Sequence, residues 1–548
     1  MKLLISLFQE SRWILAAAFA SSIVSGAGST ALLVLLNSVL ITKSIEPGRT
    51  FFLGFLGACF VIPLTGLLAM YLLERLGQGT ILRLRLQFSR QILDSPLRQL
   101  EDIGIPRLLT VLTGDINVIS ETIMVVPGLA VNGTLVVGCM SYLAWLAPRL
   151  FLVLLALFAL GVFTYRLPLA AGMRRFQRAR KTQESLFKHF RGLTEGLKEL
   201  KLHNPRREAF LRDLEKTADV ERKLRISARM IYGTAAAWGH LLLFVVVGGL
   251  LLAQTAMDSI LDQTLASYTL VLIYMLAPMQ AFLDWMPRLG RANAAVERIE
   301  QLGLSLRVKE EDRGAPQPTE RLEGWQELRL RGVRLEYSGQ GELDQFALGP
   351  IDLTLRPGET VFVTGGNGSG KTTLAKLLVG LYSPDQGEVL FAGRPVSDEG
   401  REAYRQNFSA VFSDFYLFDR LLGLESDGME ERSRFYLRKL QLDHKVQIRH
   451  GVLSTTSLSQ GQRKRLALLT AYLENRPIYL FDEWAADQDP VFKRLFYYSL
   501  LPELKERGKM VITISHDDQY YGVADRIIKL DYGRVCFDGT PGEAGIGG

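Results

Sequence analysis

Four short stretches of the chain bring together residue types whose spacing suits one chemistry. In TVFVTGGNGSGKTTLAKLLVGL, residues 360–381, an apolar run enters a glycine-rich turn and leaves with helical apolar spacing. Gly365, Gly366, Asn367, Gly368, Ser369, Gly370, Lys371 and Thr372, followed by Thr373, satisfy the phosphate-loop pattern GxxxxGK[ST] in full. Glycines let successive backbone N–H groups converge on phosphate oxygens, and the start of the following helix adds its dipole. Lys371 is expected to reach the β- and γ-phosphates of a nucleotide, and the Thr372 hydroxyl to bind Mg2+. Glycine-rich turns also occur without ligands, but here the strand before and the helix after meet the motif's structural condition.

In PIYLFDEWAADQDP, residues 477–490, an apolar run ends in two adjacent carboxylates, Asp482 and Glu483. Acids in that place make either a surface turn or a site for something cationic. Beside a phosphate loop, a second apolar strand has to deliver an acid to the metal, so Asp482 is expected on the metal side, acting through water. Glu483 then stands next to the γ-phosphate, where a carboxylate can orient and deprotonate the attacking water. VITISHDD, residues 511–518, ends a third apolar strand in His516, placed to contact the γ-phosphate. SLSQGQRKR supplies Leu458, Ser459, Gln460, Gly461 and Gln462 about twenty residues before the metal-side acid.

The full set resembles the ATP-binding cassette ATPases. The resemblance implies two cassettes closing face to face over two ATP molecules, each phosphate loop facing Ser459, Gly461 and Gln462 of the partner. Tyr337, in VRLEYSG, matches the aromatic residue that stacks on adenine in that family. Two places depart from the pattern. SAVFSDFYLF puts Ser413 where the family usually has a glutamine that touches Mg2+. The shorter serine would reach the metal only through water, with Asp414 as the alternative. AADQD stands where the family commonly has SALD, leaving Asp489 as the matching aspartate.

The elements that must carry these groups are of two kinds. The chain has 548 residues, 48% hydrophobic, with a net charge of +7. Residues 14–41 hold no charged side chain, whereas 304–325 are polar and charged. A bilayer core of about 30 Å needs about 20 apolar residues in a helix. Stretches 14–41, 51–73, 122–147, 150–173, 230–257 and 259–286 meet that requirement. The first reads as a membrane helix rather than a signal peptide, because its apolar part is too long. Lys and Arg cluster in 174–229, as in RRFQRARK and NPRREAF, without aromatic interleaving. That argues against nucleic-acid binding and places this loop, with both termini, in the cytoplasm. The long loops 74–121 and 174–229 show helical spacing and are expected to turn at short helices near 103–118 and 203–212. Polar residues within the spans are Asn37, Asn132, Arg166, His240 and Asp284. An intramembrane ionisable group is a substrate-path candidate, although Arg166 and Asp284 lie near span ends. Cys59, Cys139 and Cys536 lack metal or disulfide spacing and read as small buried apolar residues.

After 304–325, read as a linker, β-rich and helical runs alternate from 326 to 548. The fold class expected is a multidomain membrane protein. An all-α six-helix transmembrane domain, 1–303, precedes an α/β phosphate-loop domain. This layout resembles the half-transporter exporters of the cassette superfamily, which implies a homodimer. A peptidase fusion is not expected, since no extra domain precedes the first span. The departures VFSDFYLF and FDEWAADQDP, with GGNGSGKTT, resemble the bacterial branch that exports cyclic peptides and peptide siderophores, the pyoverdine-precursor type. That resemblance implies ATP and Mg2+ as cofactors, a peptide or siderophore-like cargo, an inner-membrane location and periplasmic or outer-membrane partners. Few fixed charges in the spans suit an acylated peptide and suit a lipid or drug equally. A nontransporting ATP-dependent regulator is the alternative from another class, and the intact catalytic residues argue against it.

Overall fold

The computed structural model describes residues 12–41, 48–255, 259–301, 325–338, 345–424, 426 and 428–543. These divide into two compact units, one from residues 1–94 and 103–307 and the other from 95–102 and 308–548. The expected linker falls almost wholly outside the described residues.

In the first unit the apolar runs form helices, which satisfy every backbone group internally as lipid requires. In chain order the helices up to residue 301 are α1 (Arg12–Leu40), α2 (Arg49–Asp94), α3 (Leu97–Ile103), α4 (Ile105–Thr110), α5 (Ile116–Leu146), α6 (Pro148–Glu195), α7 (Leu197–Leu202), α8 (Asn204–Thr255) and α9 (Ser259–Gln301), of which α3 belongs to the second unit in all but its last residue. The expected spans fall on α1, α2, α5, α6, α8 and α9 except at residues 41 and 147, and residues 256 and 257 lie outside the described residues. Among the described residues, Arg12–Val39, Phe51–Asp94, Ile105–Leu146 and Gln263–Phe282 are long and apolar enough to cross a membrane. Pro148–Gly161 and Ala237–Gly249 are shorter apolar segments. On α2, Phe60, Leu64 and Leu67 are 72%, 69% and 66% exposed along one face. In water such a face would aggregate; against lipid tails it costs nothing.

Small residues hold the bundle together. A Cβ on Gly26 of α1 would stand 2.6 Å from the Val131 carbonyl, and one on Gly138 of α5 2.6 Å from Thr30 Oγ1. Helices without a hydrophobic drive toward one another associate through such close approaches and through hydrogen bonds. Asn37, fully buried, donates to the Tyr142 hydroxyl at 2.7 Å, and Tyr268 donates to the Leu143 carbonyl at 2.6 Å. A second cluster joins Leu73, Leu84 and Phe88 of α2 to Ile116 and Ile119 of α5 and Val296 and Ile299 of α9. At its edge Arg298 pairs with the buried Asp115, Nε lying 3.1 Å from Oδ2. Asn132 is half-buried on α5. The side chains of Arg166, His240 and Asp284 lie outside the described residues.

Two expectations need correcting. The chain turns at α3 and at α7, earlier than 103–118 and 203–212. Gly104, at φ +83°, breaks the helix ahead of Pro106, and α8 starts at Asn204 with Pro205 in its first turn, where proline is tolerated. Of the cysteines only Cys139 is buried. Cys59 sits beside Phe60 among exposed residues of α2, and Cys536 takes an outward position in a strand whose exposure alternates.

The second unit is built on two sheets. Its strands are β1 (Leu328–Ser338), β2 (Gln345–Leu355), β3 (Thr360–Gly365), β4 (Gln386–Phe391), β5 (Arg394–Pro395), β6 (Phe408–Val411), β7 (Ile448–Arg449), β8 (Val452–Leu453), β9 (Ile478–Asp482), β10 (Met510–Ile514), β11 (Arg526–Asp531) and β12 (Arg534–Gly539). Helices α10 (Lys371–Leu378), α11 (Arg401–Arg405), α12 (Met429–Lys439), α13 (Gln460–Glu474), α14 (Pro490–Leu495) and α15 (Leu501–Glu506) pack around them. The larger sheet has the order β12-β11-β3-β10-β9-β6, parallel except for β11 with β12. The smaller, antiparallel sheet has the order β2-β1-β4-β5. Continuous burial of β3, β9 and β10 explains their unbroken apolar runs. In register, Ile514 pairs with Val363 on one side and Asp482 on the other. The carboxyl ends of three neighbouring strands therefore open at one edge, where open α/β sheets bind ligands.

Candidate functional site

The phosphate loop leaves β3 at that edge. Gly365, at φ +149°, admits no side chain, because a Cβ would lie 2.2 Å from the Leu530 carbonyl. Gly370, at φ +99°, lets the loop pass over Phe346, whose ring carbon would stand 2.8 Å from a Cβ there. Gly366, Asn367 and Gly368 are exposed on the loop, Ser369 is buried, and Thr373 is half-buried behind them. Lys371 is buried and donates to the carbonyls of Gly365 and Gly366 at 3.0 and 2.9 Å. Burial pulls its pKa down, against the opposing charges of Glu483 and Asp482.

Asp482 ends β9 with no solvent exposure. Its Oδ2 accepts from Thr372 Oγ1 at 3.1 Å and from Ser413 Oγ at 3.4 Å. Its Oδ1 is buried without a hydrogen-bond partner. Burial pushes this carboxyl up, the Thr372 hydroxyl counteracts, and the neighbouring Glu483 pushes it further. A buried carboxylate with one orphaned oxygen and two hydroxyls on the other is a donor set short of a cation. Mg2+ fits it: hard oxygen ligands, few of them from protein, with phosphates and waters completing the shell. Among the described residues no group of three or more His, Cys, Asp and Glu forms a metal cage. Asp414, beside Ser413, is exposed.

Glu483 takes the left-handed conformation at φ +50°, which turns the chain sharply out of β9. Its N–H donates to the Ile514 carbonyl at 3.1 Å, and its Oε1 lies 3.4 Å from His516 Nε2. Both side chains are partly exposed. The His516 loop is braced from below. Ser515 Oγ lies 2.7 Å from the Tyr497 hydroxyl and accepts from the Asp517 N–H at 3.0 Å, and Lys493 holds Asp517 at 2.9 Å. Next to Glu483, Trp484 is buried and stacks on Phe496 at 4.4 Å.

Ser459 caps α13 reciprocally with Gln462, the N–H of each bonded to the side chain of the other at 3.2 and 3.4 Å. The hydrogen bonds of this turn run to the segment after the acids: Gln488 Nε2 donates to the Gly461 carbonyl at 3.0 Å. Asp489 caps α14 through Phe492 N–H at 2.9 Å and accepts from Arg465 at 2.6 Å, which hold its carboxyl below the usual range. Tyr337 lies on β1, its backbone opposite Phe346 of β2; its side chain lies outside the described residues. The structure thus joins the loop, Thr372, Asp482 and Ser413 in one cluster, with Glu483 and His516 beside it.

Sequence reasoning missed Phe346 and Lys464, whose proximity to the site depends on contacts between distant elements, and Ser515 and Gln488, whose hydrogen bonds their neighbours His516 and Asp489 do not announce. It missed α3 as well. Arg98 Nη1 donates to both carboxylate oxygens of Asp385 at 3.0 and 3.2 Å, and Glu101 pairs with Lys376 of α10 at 2.7 Å while accepting from Tyr382. A short charged helix thereby grips the helix that begins at the phosphate loop.

Residues 348–486 match the family described as ABC transporter, and residues 13–279 match ABC transporter transmembrane region. ATP-binding protein SyrD of Pseudomonas syringae pv. syringae is 37% identical over 97% of this chain and 95% of its own. An ATP-dependent lipid A-core flippase of Alkalilimnicola ehrlichii is 26% identical, covering 86% and 81%. The structure of a bacterial Atm1-family ABC exporter with ATP bound shares the fold at TM-score 0.76 and 16% identity, over 97% of this chain and 96% of that one. With membrane region and cassette both matched, and with SyrD related along nearly the whole length, the chain belongs to the ABC transporter family, as a multi-pass membrane protein whose ATP hydrolysis is coupled to transport.

Proposed function

We propose that the chain acts as a homodimer that exports a cyclic or nonribosomal peptide, acylated siderophore precursors included, from cytoplasm to periplasm across the inner membrane. The observation that carries the catalytic part is the cluster of Thr372, Ser413 and the half-satisfied Asp482 beside Glu483 and His516. On binding ATP, Lys371 exchanges the Gly365 and Gly366 carbonyls for β- and γ-phosphate oxygens. Thr372, Asp482 and Ser413 would hold Mg2+, Asp482 and Ser413 through water, and the ion would supply charge neutralisation at those phosphates. Glu483 takes a proton from water as the water oxygen bonds to the γ-phosphorus. The bond from that phosphorus to the bridging oxygen breaks, leaving ADP and phosphate. His516 orients the γ-phosphate. Ser459, Gly461 and Gln462 of one cassette face the nucleotide of the partner, and Tyr337 stacks on adenine. Binding closes the cassette pair and hydrolysis resets it, which biases the bundle between its two states.

The peptide cargo is supported by the motif departures around Ser413 and Trp484. A lipid cargo is the second reading, supported by the relatives named as lipid A-core flippases, at 24–29% identity. ATP-dependent uptake into inverted membrane vesicles decides between them. A peptide-siderophore precursor is compared with labelled lipid, and Glu483→Gln vesicles serve as the blank. Peptide accumulation above the blank supports the first reading, and lipid accumulation alone replaces it with the second.

A further inference from the structure

Lys464, in the second turn of α13, is 3% exposed. An ammonium group persists at such depth only when paired and hydrogen-bonded. Its Nζ donates to the backbone carbonyl of Glu483 at 2.8 Å and lies 2.8 Å from Asp487 Oδ2. Its own carbonyl accepts from the Trp484 indole N–H at 2.8 Å. Three consecutive features of the segment after β9 are thus tied to one residue: the peptide of Glu483, the ring of Trp484 and the carboxylate of Asp487.

The tie matters because of the conformation it holds. A non-glycine residue at φ +50° persists only where its surroundings over-determine it. Glu483 has its N–H fixed by β10 and its carbonyl fixed by Lys464, so both peptide planes that aim its side chain are anchored. Lys464 also stands on the helix capped by Ser459. Gln488 ties the first turn of that helix to the same segment.

We infer that Lys464 is a positioning residue for hydrolysis: with Asp487 as its counter-charge, it fixes the backbone from which Glu483 presents its carboxylate to the attacking water. The inference rests on the reading of Glu483 as the base.

The test uses the full chain in lipid nanodiscs and measures kcat and KM for ATP together with the melting temperature. Misplacement of a reacting group by about 1 Å can cost on the order of 10²-fold. Lys464→Met should therefore lower kcat by about 10²-fold while KM for ATP changes by less than about threefold. Lys464→Arg should recover part of kcat. In Lys464→Met/Asp487→Ala the melting temperature should return toward the parent value, since no charge is left unpaired, while kcat stays low because the Glu483 carbonyl still lacks its donor. Recovery of kcat together with the melting temperature in the double variant would reduce Lys464 to a structural residue and overturn the inference. Should Lys464→Met fail to fold, Asp487→Asn carries the test, with kcat lowered about tenfold at unchanged KM expected and unchanged kcat overturning it. Glu483→Gln is measured in parallel. A silent Glu483→Gln with Lys464→Met at the parent rate refutes the positioning role alone, whereas an active Glu483→Gln refutes the base assignment beneath it.

Discussion

The two compact units use polar side chains in opposite ways. In the cassette they converge: one carboxylate oxygen of Asp482 collects Thr372 and Ser413, and its neighbour Glu483 meets His516. Within the apolar spans of the helical unit they are sparse, and those described there and at the span ends serve packing, as with Asn37 on Tyr142 and Asp115 with Arg298. Meanwhile large apolar side chains such as Phe60 and Leu64 face outward. Convergent polar groups in a buried edge perform bond chemistry; dispersed ones in an apolar bundle fix helix to helix. On the proposed reading, the reaction belongs to a few side chains and the choice of cargo to a surface.

If that division holds, the cassette should respond to single substitutions far more steeply than the bundle. The largest effect is expected at Glu483→Gln, where loss of the base should cut ATP turnover by about 10²–10⁴-fold with nucleotide binding retained, as read by binding and single-turnover assays. Lys371→Ala should instead weaken binding itself. Next comes the acidity of Asp482. Burial raises its pKa above the ordinary value of 3.8, making it a weaker acid, so it takes up a proton at a higher pH than an exposed aspartate does. Mg2+ must then displace that proton. Affinity should fall as pH drops toward the raised value, and binding should release protons, detectable by calorimetry in buffers of differing ionisation heat. Asp482→Asn should abolish the release.

In the bundle, Arg298→Met leaves the buried Asp115 without its partner. Because Arg298 is about a third exposed, the loss should be modest, about 1–3 kcal/mol, seen as a lower melting temperature. KM for ATP should not move; a shift there would break the comparison. Glu101→Ala removes the grip of α3 on Lys376 and Tyr382. It should reduce cargo moved per ATP by about twofold to fivefold, with basal hydrolysis nearly unchanged. Ser413→Gln should do least. An unchanged ratio of transport to hydrolysis would mean that position relays nothing in this chain.

The same contrast explains what the sequence made legible. A phosphate loop needs glycines and a lysine at fixed intervals, so Gly365 to Thr372 could be read directly, and apolar strands ending in Asp482 or His516 followed from it. The six long helices were readable from composition alone. The turns between them were not, because Gly104 and Asn204 act through local backbone geometry that helical periodicity obscures. Cys59 and Cys536 were misjudged for a related reason: residue type predicts burial only on average, while the side of the helix or strand decides it. Lys464 and Asp487 lie far apart in sequence and meet only because α13 packs against the segment after β9. Nothing in either residue's neighbourhood announces the other.

The buried indole next to Glu483 has an optical consequence. The chain holds 6 tryptophans, and within 308–548 only Trp325 and Trp484 occur. Trp484 is stacked on Phe496, bonded to the Lys464 carbonyl and shielded from solvent. Its emission should be blue-shifted and should respond to charge movement one residue from the reacting water. The proposed hydrolytic site thus carries its own fluorophore, and replacing Trp325 by phenylalanine would leave Trp484 as the cassette's single native dye.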